Sequence, residues 1–219
     1  LRHPIPAPHP GPALPAPDAQ GITVPQLPVA VDIKQLAVPK ISFGEQVFGL
    51  GSSIALEGKV KLEGGSLDAG LNIKRLDGPG GALDLAAKYD KASTRLDLDL
   101  GIDEPKDGII ATLLNVEGRP DIRLDIKGSG PVGNLETQLS LAAAGKSVLT
   151  GKAAVTQQPQ GFAIAANLGG PIADILPAAY RGFFGDSTTL IANALLRGDG
   201  GLDVQKFSLT GGEVQLAGS

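Results

Sequence analysis

From about residue 29 the chain changes to a period-two alternation of apolar and polar side chains, and that pattern restricts the fold most. Ile54, Leu56, Val60 and Leu62 alternate with Ala55, Glu57, Lys59 and Lys61. Leu67, Ala69, Leu71 and Ile73 alternate with Asp68, Gly70, Asn72 and Lys74. Leu96, Leu98, Leu100 and Ile102 follow the same rule, as do Ile122, Leu124 and Ile126. Leu135, Thr137, Leu139 and Leu141 continue it, then Phe162, Ile164, Ala166 and Leu168. Leu190, Ala192, Ala194 and Leu196 form another run, and Val214 and Leu216 begin a last one. Successive side chains of a strand point to opposite faces, so each run reads as a strand with one apolar and one polar face.

Glycine-rich punctuation separates the runs. Gly64-Gly65-Ser66, Asp77 to Gly81, Gly128-Ser129-Gly130-Pro131 and Gly198 to Gly201 read as turns between antiparallel neighbours. Leu followed by an acid comes after four turns, at Leu67-Asp68, Leu83-Asp84, Leu135-Glu136 and Leu202-Asp203. The intervals are unequal, so the repeating unit is the hairpin and not a fixed-period solenoid. The expected fold is all-β: a meander of roughly a dozen strands. Two segments break the alternation and predict short helical insertions. In 107–115, Ile109, Ile110, Leu113 and Leu114 share a helical face, with Asp107 as N-cap. In 172–184, Pro177 starts a new turn and Tyr180, Phe183 and Phe184 cluster.

Residues 1–20 stand apart as a proline-rich linker or tail, with seven prolines between Pro4 and Pro17. Missing backbone donors and fixed φ favour polyproline II there. Residues 21–219 form the β-rich body. With no methionine anywhere, the chain is expected to be an internal or processed piece. No window approaches a transmembrane span, and no signal-peptide pattern opens the sequence.

Composition removes most chemistry. Lys+Arg 19 against Asp+Glu 23 leaves a net charge of -4, the wrong sign for a nucleic-acid surface. The absence of cysteine removes disulfides, thiol nucleophiles and thiolate-bound zinc. His3 and His9 are the only histidines and both lie in the tail, so the body carries no imidazole base or ligand. Asp97 and Asp99 share a strand face about 7 Å apart and are weighed as a cation or glycosidase pair. A solvated face is the plainer reading, because sugar-stacking aromatics are scarce. Gly198 to Asp203 and the tripeptide Arg197-Gly198-Asp199 read as a hairpin turn. The chain is therefore expected to be no enzyme, with no catalytic residue, metal or cofactor.

Several phrases, in their order, carry a resemblance. They are LPVAVDIKQLAVPKISFG at 27–44 and IKRLDGPGGALDL at 73–85. Then come the Leu-Asp run leading to Asp103-Glu104-Pro105, Leu113-Leu114 and Gly118-Arg119-Pro120. Gly128 to Pro131 and Pro177-Ala178-Ala179-Tyr180-Arg181 complete the set. Residues 21–219 resemble the TamB family of AsmA-like, envelope-spanning β-proteins. The resemblance implies a long curved antiparallel sheet, the β-taco, with an open aliphatic groove. It implies a periplasmic location with an inner-membrane anchor outside this chain. It implies an outer-membrane barrel of the Omp85 type as partner, through other parts of the full-length protein. The implied roles are lipid transport between membranes, outer-membrane biogenesis and protein secretion through autotransporter assembly.

Leu56, Val60, Leu71, Ile73, Leu98, Leu100, Leu124, Ile126, Leu139, Leu141, Ile164 and Leu190 are expected to line the groove against phospholipid acyl chains. A dozen strands make it roughly 55–60 Å long. Two other readings remain open, since alternation is the same in each. One is a scaffold that binds unfolded outer-membrane strands by edge pairing. The other is a closed sandwich with a self-filled core.

Overall fold

The computed structural model describes residues 30–48, 50–113, 116–176 and 178–218. The proline-rich segment 1–20, Leu114, Asn115 and Pro177 lie outside the described residues. Twelve strands form one antiparallel sheet whose spatial order is the chain order. They are β1 (Val31–Phe43), β2 (Ser52–Glu63), β3 (Ser66–Arg75), β4 (Ala82–Asp90), β5 (Arg95–Glu104) and β6 (Ile122–Pro131). The second half is β7 (Asn134–Ala143), β8 (Lys146–Gln158), β9 (Gly161–Gly170), β10 (Thr188–Arg197), β11 (Leu202–Gly211) and β12 (Val214–Gly218). The sheet does not close, and β1 and β12 are the outermost strands among the described residues. Eleven strand spacings give a width of about 53 Å.

Register turns the alternation into two continuous faces. One row runs across all twelve strands: Leu36, Gly58, Leu71, Leu85, Leu100, Ile126, Leu139, Gly151, Leu168, Leu190, Leu209 and Leu216. Every member is aliphatic or glycine. The next row, one residue along each strand, points the other way. From β2 it reads Glu57, Asn72, Asp84, Gly101, Asp125, Ser140, Thr150, Gly169, Thr189, Thr210 and Gln215. A slip of one residue at any pairing would mix the two rows, so burial chemistry specifies the register. Bulges in the β1–β2, β7–β8 and β10–β11 pairings each add a residue without exchanging the faces further along.

The two ends of the strands differ. At one end lie two-residue turns such as Gly64–Gly65 and Val132–Gly133, with slightly longer ones at 91–94 and 198–201. The other end carries the longer connections and every helix. These are α1 (Glu45–Phe48), α2 (Ile109–Leu113), a 3-10 turn at Ile172–Ile175 and α3 (Ala178–Phe184). The expectation that Pro177 starts a new turn falls on a residue outside the described ones. The turn α1 is additional to the two helical insertions expected.

Gly128-Ser129-Gly130-Pro131 is not a turn. It is the last stretch of β6, with Gly128 paired to Thr137, and the turn is Val132–Gly133. Nor does Asp107 cap α2. Its φ is +63, and the Glu104 carboxylate at the end of β5 accepts from the N–H groups of Ile109 (2.5 Å) and Ile110 (2.7 Å) instead. The face of α2 that packs inward centres on Ile110 and Ala111, while Leu113 is exposed. Ala111, Val116 and Ile122 form the main buried cluster, joined by Ile110, Leu141 and Ile175. The α2 connection and the 3-10 turn thus cover the helical end of the apolar face.

Candidate functional site: an open apolar trough

All twelve residues expected to line a groove fall on the apolar face. Leu56 pairs with Ile73, Leu100 with Ile126, Leu124 with Leu141, and Ile126 with Leu139. Val60, Leu71, Leu98, Ile164 and Leu190 stand in the same phase of their strands. All twelve are half-buried, and none is fully covered. The core of a sandwich is packed to crystal density and covered on both sides. Here the central rows have neighbours beside them and an open side in front. The sheet does not meet the closed-sandwich expectation, in which these residues would be buried.

Nine apolar side chains are fully buried among the described residues: Leu62, Ala111, Val116, Ile122, Leu135, Ala143, Val148, Phe162 and Leu195. Leu195 lies on the opposite face of the sheet, Ala111, Val116, Ile122, Ala143 and Val148 toward the helical end, and Leu62, Leu135 and Phe162 toward the turn end. The middle of the trough lies between them. At the edges the same face is barer still, with Ile33 and Leu36 on β1 and Leu202, Val204 and Leu216 on β11 and β12 exposed.

Across β2 to β6 the opposite face is a solvated charge lattice, whereas across β8 to β10 it carries Ala154, Ala163, Ala165, Ile191 and the buried Leu195. Lys59 and Lys88 flank Asp68 at 3.9 and 3.7 Å, Lys127 faces Asp99 at 3.4 Å, and Arg123 pairs with Asp103. Asp97 accepts from the Ser129 hydroxyl, which with nearby Arg95 holds its carboxyl below the ordinary Asp value. Asp97 and Asp99 are thus each engaged by neighbouring strands. Among the described residues no cluster of His, Cys, Asp and Glu has metal-binding geometry. Arg197 and Asp199 bond to each other at 3.2 Å, and Asp199 also accepts from the Gly201 N–H, which makes that tripeptide a self-contained turn.

Sequence reasoning missed one corner, and the signal was present. Ser52, Arg75 and Glu104 each continue an apolar run by two positions, so all three polar groups project from the apolar face. The structure places them at the helical end. Ser52 is 4% exposed, Glu104 6%, and the Arg75 side chain 7%. Arg75 sits beside a largely carbon-lined cavity of about 310 Å³, walled by Phe43, Ile54, Ile73, Leu83, Ile102 and Ile110 among others. Its Nη2 donates to Asp77 at 3.1 Å. The Ser53 N–H and then Arg75 hold the Asp77 carboxyl below the usual Asp value.

No helix among the described residues is long and apolar enough to cross a membrane. Comparisons with protein-family models, with curated proteins and with solved structures returned no match to this chain.

Proposed function

We propose that the apolar face is a trough that shields phospholipid acyl chains as they move between two membranes. The observation that carries this reading is the aliphatic row across all twelve strands, uncovered along its middle. Each CH₂ exposed to water costs about 0.8 kcal/mol, so a 16-carbon chain faces roughly 13 kcal/mol without cover. The row runs perpendicular to the strands and offers an apolar group about every 4.8 Å. Leu, Ile and Val hold a chain without hydrogen bonds that would fix it at one place. The charged outer face keeps the sheet soluble while the inner face is greasy. Exposed apolar residues on β1, β11 and β12 fit a trough that continues beyond these strands.

The resemblance to TamB-like proteins supports the wider setting of this proposal. In it the segment belongs to a periplasmic, inner-membrane-anchored protein that works with an Omp85-type barrel in outer-membrane biogenesis and secretion. A second reading has its own observation: among the described residues β12 pairs on one side only, with β11, and the scaffold reading places an added unfolded strand along its other side. The β1 edge is less inviting, since Pro39, Lys34 and Lys40 blunt it.

Native mass spectrometry of the chain expressed in a bacterial periplasm tests the proposal. Co-purified phospholipid is expected, and Leu98→Asp should abolish it while the sheet stays folded. Leu98 is well suited because its cross-strand neighbours are the small Ala87 and Gly128. A lipid-free chain, or equal loading of the folded variant, would count against the trough. Proline substitution within β12 that removes strand capture would favour the scaffold.

A further inference from the structure

Three buried side-chain polar atoms lack a hydrogen-bond partner among the described residues, and all three share one corner: Ser52 Oγ, Arg75 Nε and Arg75 Nη1. Ile54 is the cross-strand partner of Arg75, and Ser52 lies two residues along β2 on the same face. Unmade hydrogen bonds at a buried charged group are costly, and folded proteins rarely leave them. Arg75 is one of the residues lining the carbon-walled cavity, so its buried guanidinium borders a space otherwise suited to hydrocarbon.

The charged groups around it are already engaged. Asp77 takes Arg75 Nη2 and the Ser53 N–H. Glu104 lines the same cavity, but its two oxygens accept from Ile109 and Ile110. Gly81, with φ +134, stands between Arg75 and Glu104 in the register and adds no side chain to the gap. Neither carboxylate reaches Nε or Nη1.

We infer that this corner is a head-group site: Arg75, aided by Ser52, holds the anionic oxygens of an amphiphile whose hydrocarbon lies in the adjoining cavity and trough. The shared ligand chemistry is a phosphate or carboxylate joined to an acyl chain. A guanidinium suits it because charge-assisted bonds to such oxygens are short and strong. The inference deepens the trough proposal and rests on it. It adds a polar register point, at which a ligand is oriented, to a face that is otherwise indifferent to position.

The test compares 1-oleoyl lysophosphatidate with 1-oleoylglycerol, which differ by the phosphate, on the whole chain. The lysophosphatidate should bind at least about tenfold more tightly. Arg75→Gln should bring the two within about twofold, with 1-oleoylglycerol affinity unchanged. Ser52→Ala should narrow the gap partially. Equal binding of both by the unaltered chain would overturn the head-group site while sparing the trough, and this comparison needs no variant to fold. A folded Arg75→Gln chain that keeps the full preference would overturn the site too. Binding of neither amphiphile would refute the trough itself. Saturable binding of inorganic phosphate alone, lost in Arg75→Gln, would assign the donors to a free anion and overturn the amphiphile.

Discussion

Ile122 and Leu98 occupy the same face of neighbouring strands and obey the same alternation, yet they live in different surroundings. Ile122 is buried beneath Ala111 and Val116, whereas Leu98 is half-exposed between Ala87 and Gly128. The sheet supplies apolarity to both. Only the helical end supplies a roof, because the connections at 105–121 and 171–187 are long enough to fold back over the face. At the helical end burial is thus set by the connections, whereas at the turn end the sheet itself buries Leu62, Leu135 and Phe162, and the middle rows stay open. The roofed end holds the core, and the middle remains free for something else to cover.

Matched substitutions should separate the two environments. Ile122→Asp introduces a charge with no water to reach it, beside Glu104 in the register. It should cost about 4 kcal/mol or more in urea unfolding. A loss similar to that of Leu98→Asp would show that the roof is not a true core. Glu104→Ala should come next, at about 2 kcal/mol, because it strips the charged acceptor from two N–H groups of α2. The expected local signature is faster amide exchange at Ile109 and Ile110. Unchanged exchange there would mean that α2 is held by packing alone. Leu98→Asp should cost only about 1 kcal/mol, since the charge stays hydrated. Its main effect should be on lipid loading.

Much of this architecture is legible in the alternation. Period two gives the strands, their faces and the meander, and each groove position named from sequence lies on the apolar face. Besides the Asp107 cap, whose place Glu104 takes, two misreadings have physical causes. Gly128 to Pro131 has the composition of a turn, but Gly128 is paired to Thr137 inside the sheet, and pairing outweighs local propensity. Leu113 looked inward on helical periodicity. Which face of a five-residue helix packs inward depends on where Ile122, Leu141 and Ile175 stand, and that is tertiary information. The polar corner is a different case. Arg75 after Leu71 and Ile73, and Glu104 after Leu100 and Ile102, are violations visible in the sequence. Local inconsistencies of this kind concentrate at functional or strained sites. A reading that follows only the matches to a pattern passes over them.

The smallest effect concerns the loop over that corner. The Asp77 carboxylate accepts from the Ser53 N–H, at 2.5 Å, and from Arg75, and its folded value lies below the ordinary 3.8. A depressed folded value means that ionisation favours the native state. The contribution is complete at pH above the unfolded Asp value and disappears as pH falls through the lower, folded one. Asp77→Asn should therefore flatten the acid limb of the stability curve below about pH 4 and leave the neutral region with a small constant loss. Asp97→Asn on the open charge lattice should change the same limb less in structural terms, because no loop closes over it. If Asp77→Asn also weakens the lysophosphatidate preference, the loop positions Arg75 for its ligand. If that preference is unchanged while the acid limb flattens, the ion pair fastens the connection between β3 and β4, and the orphan donors act without it.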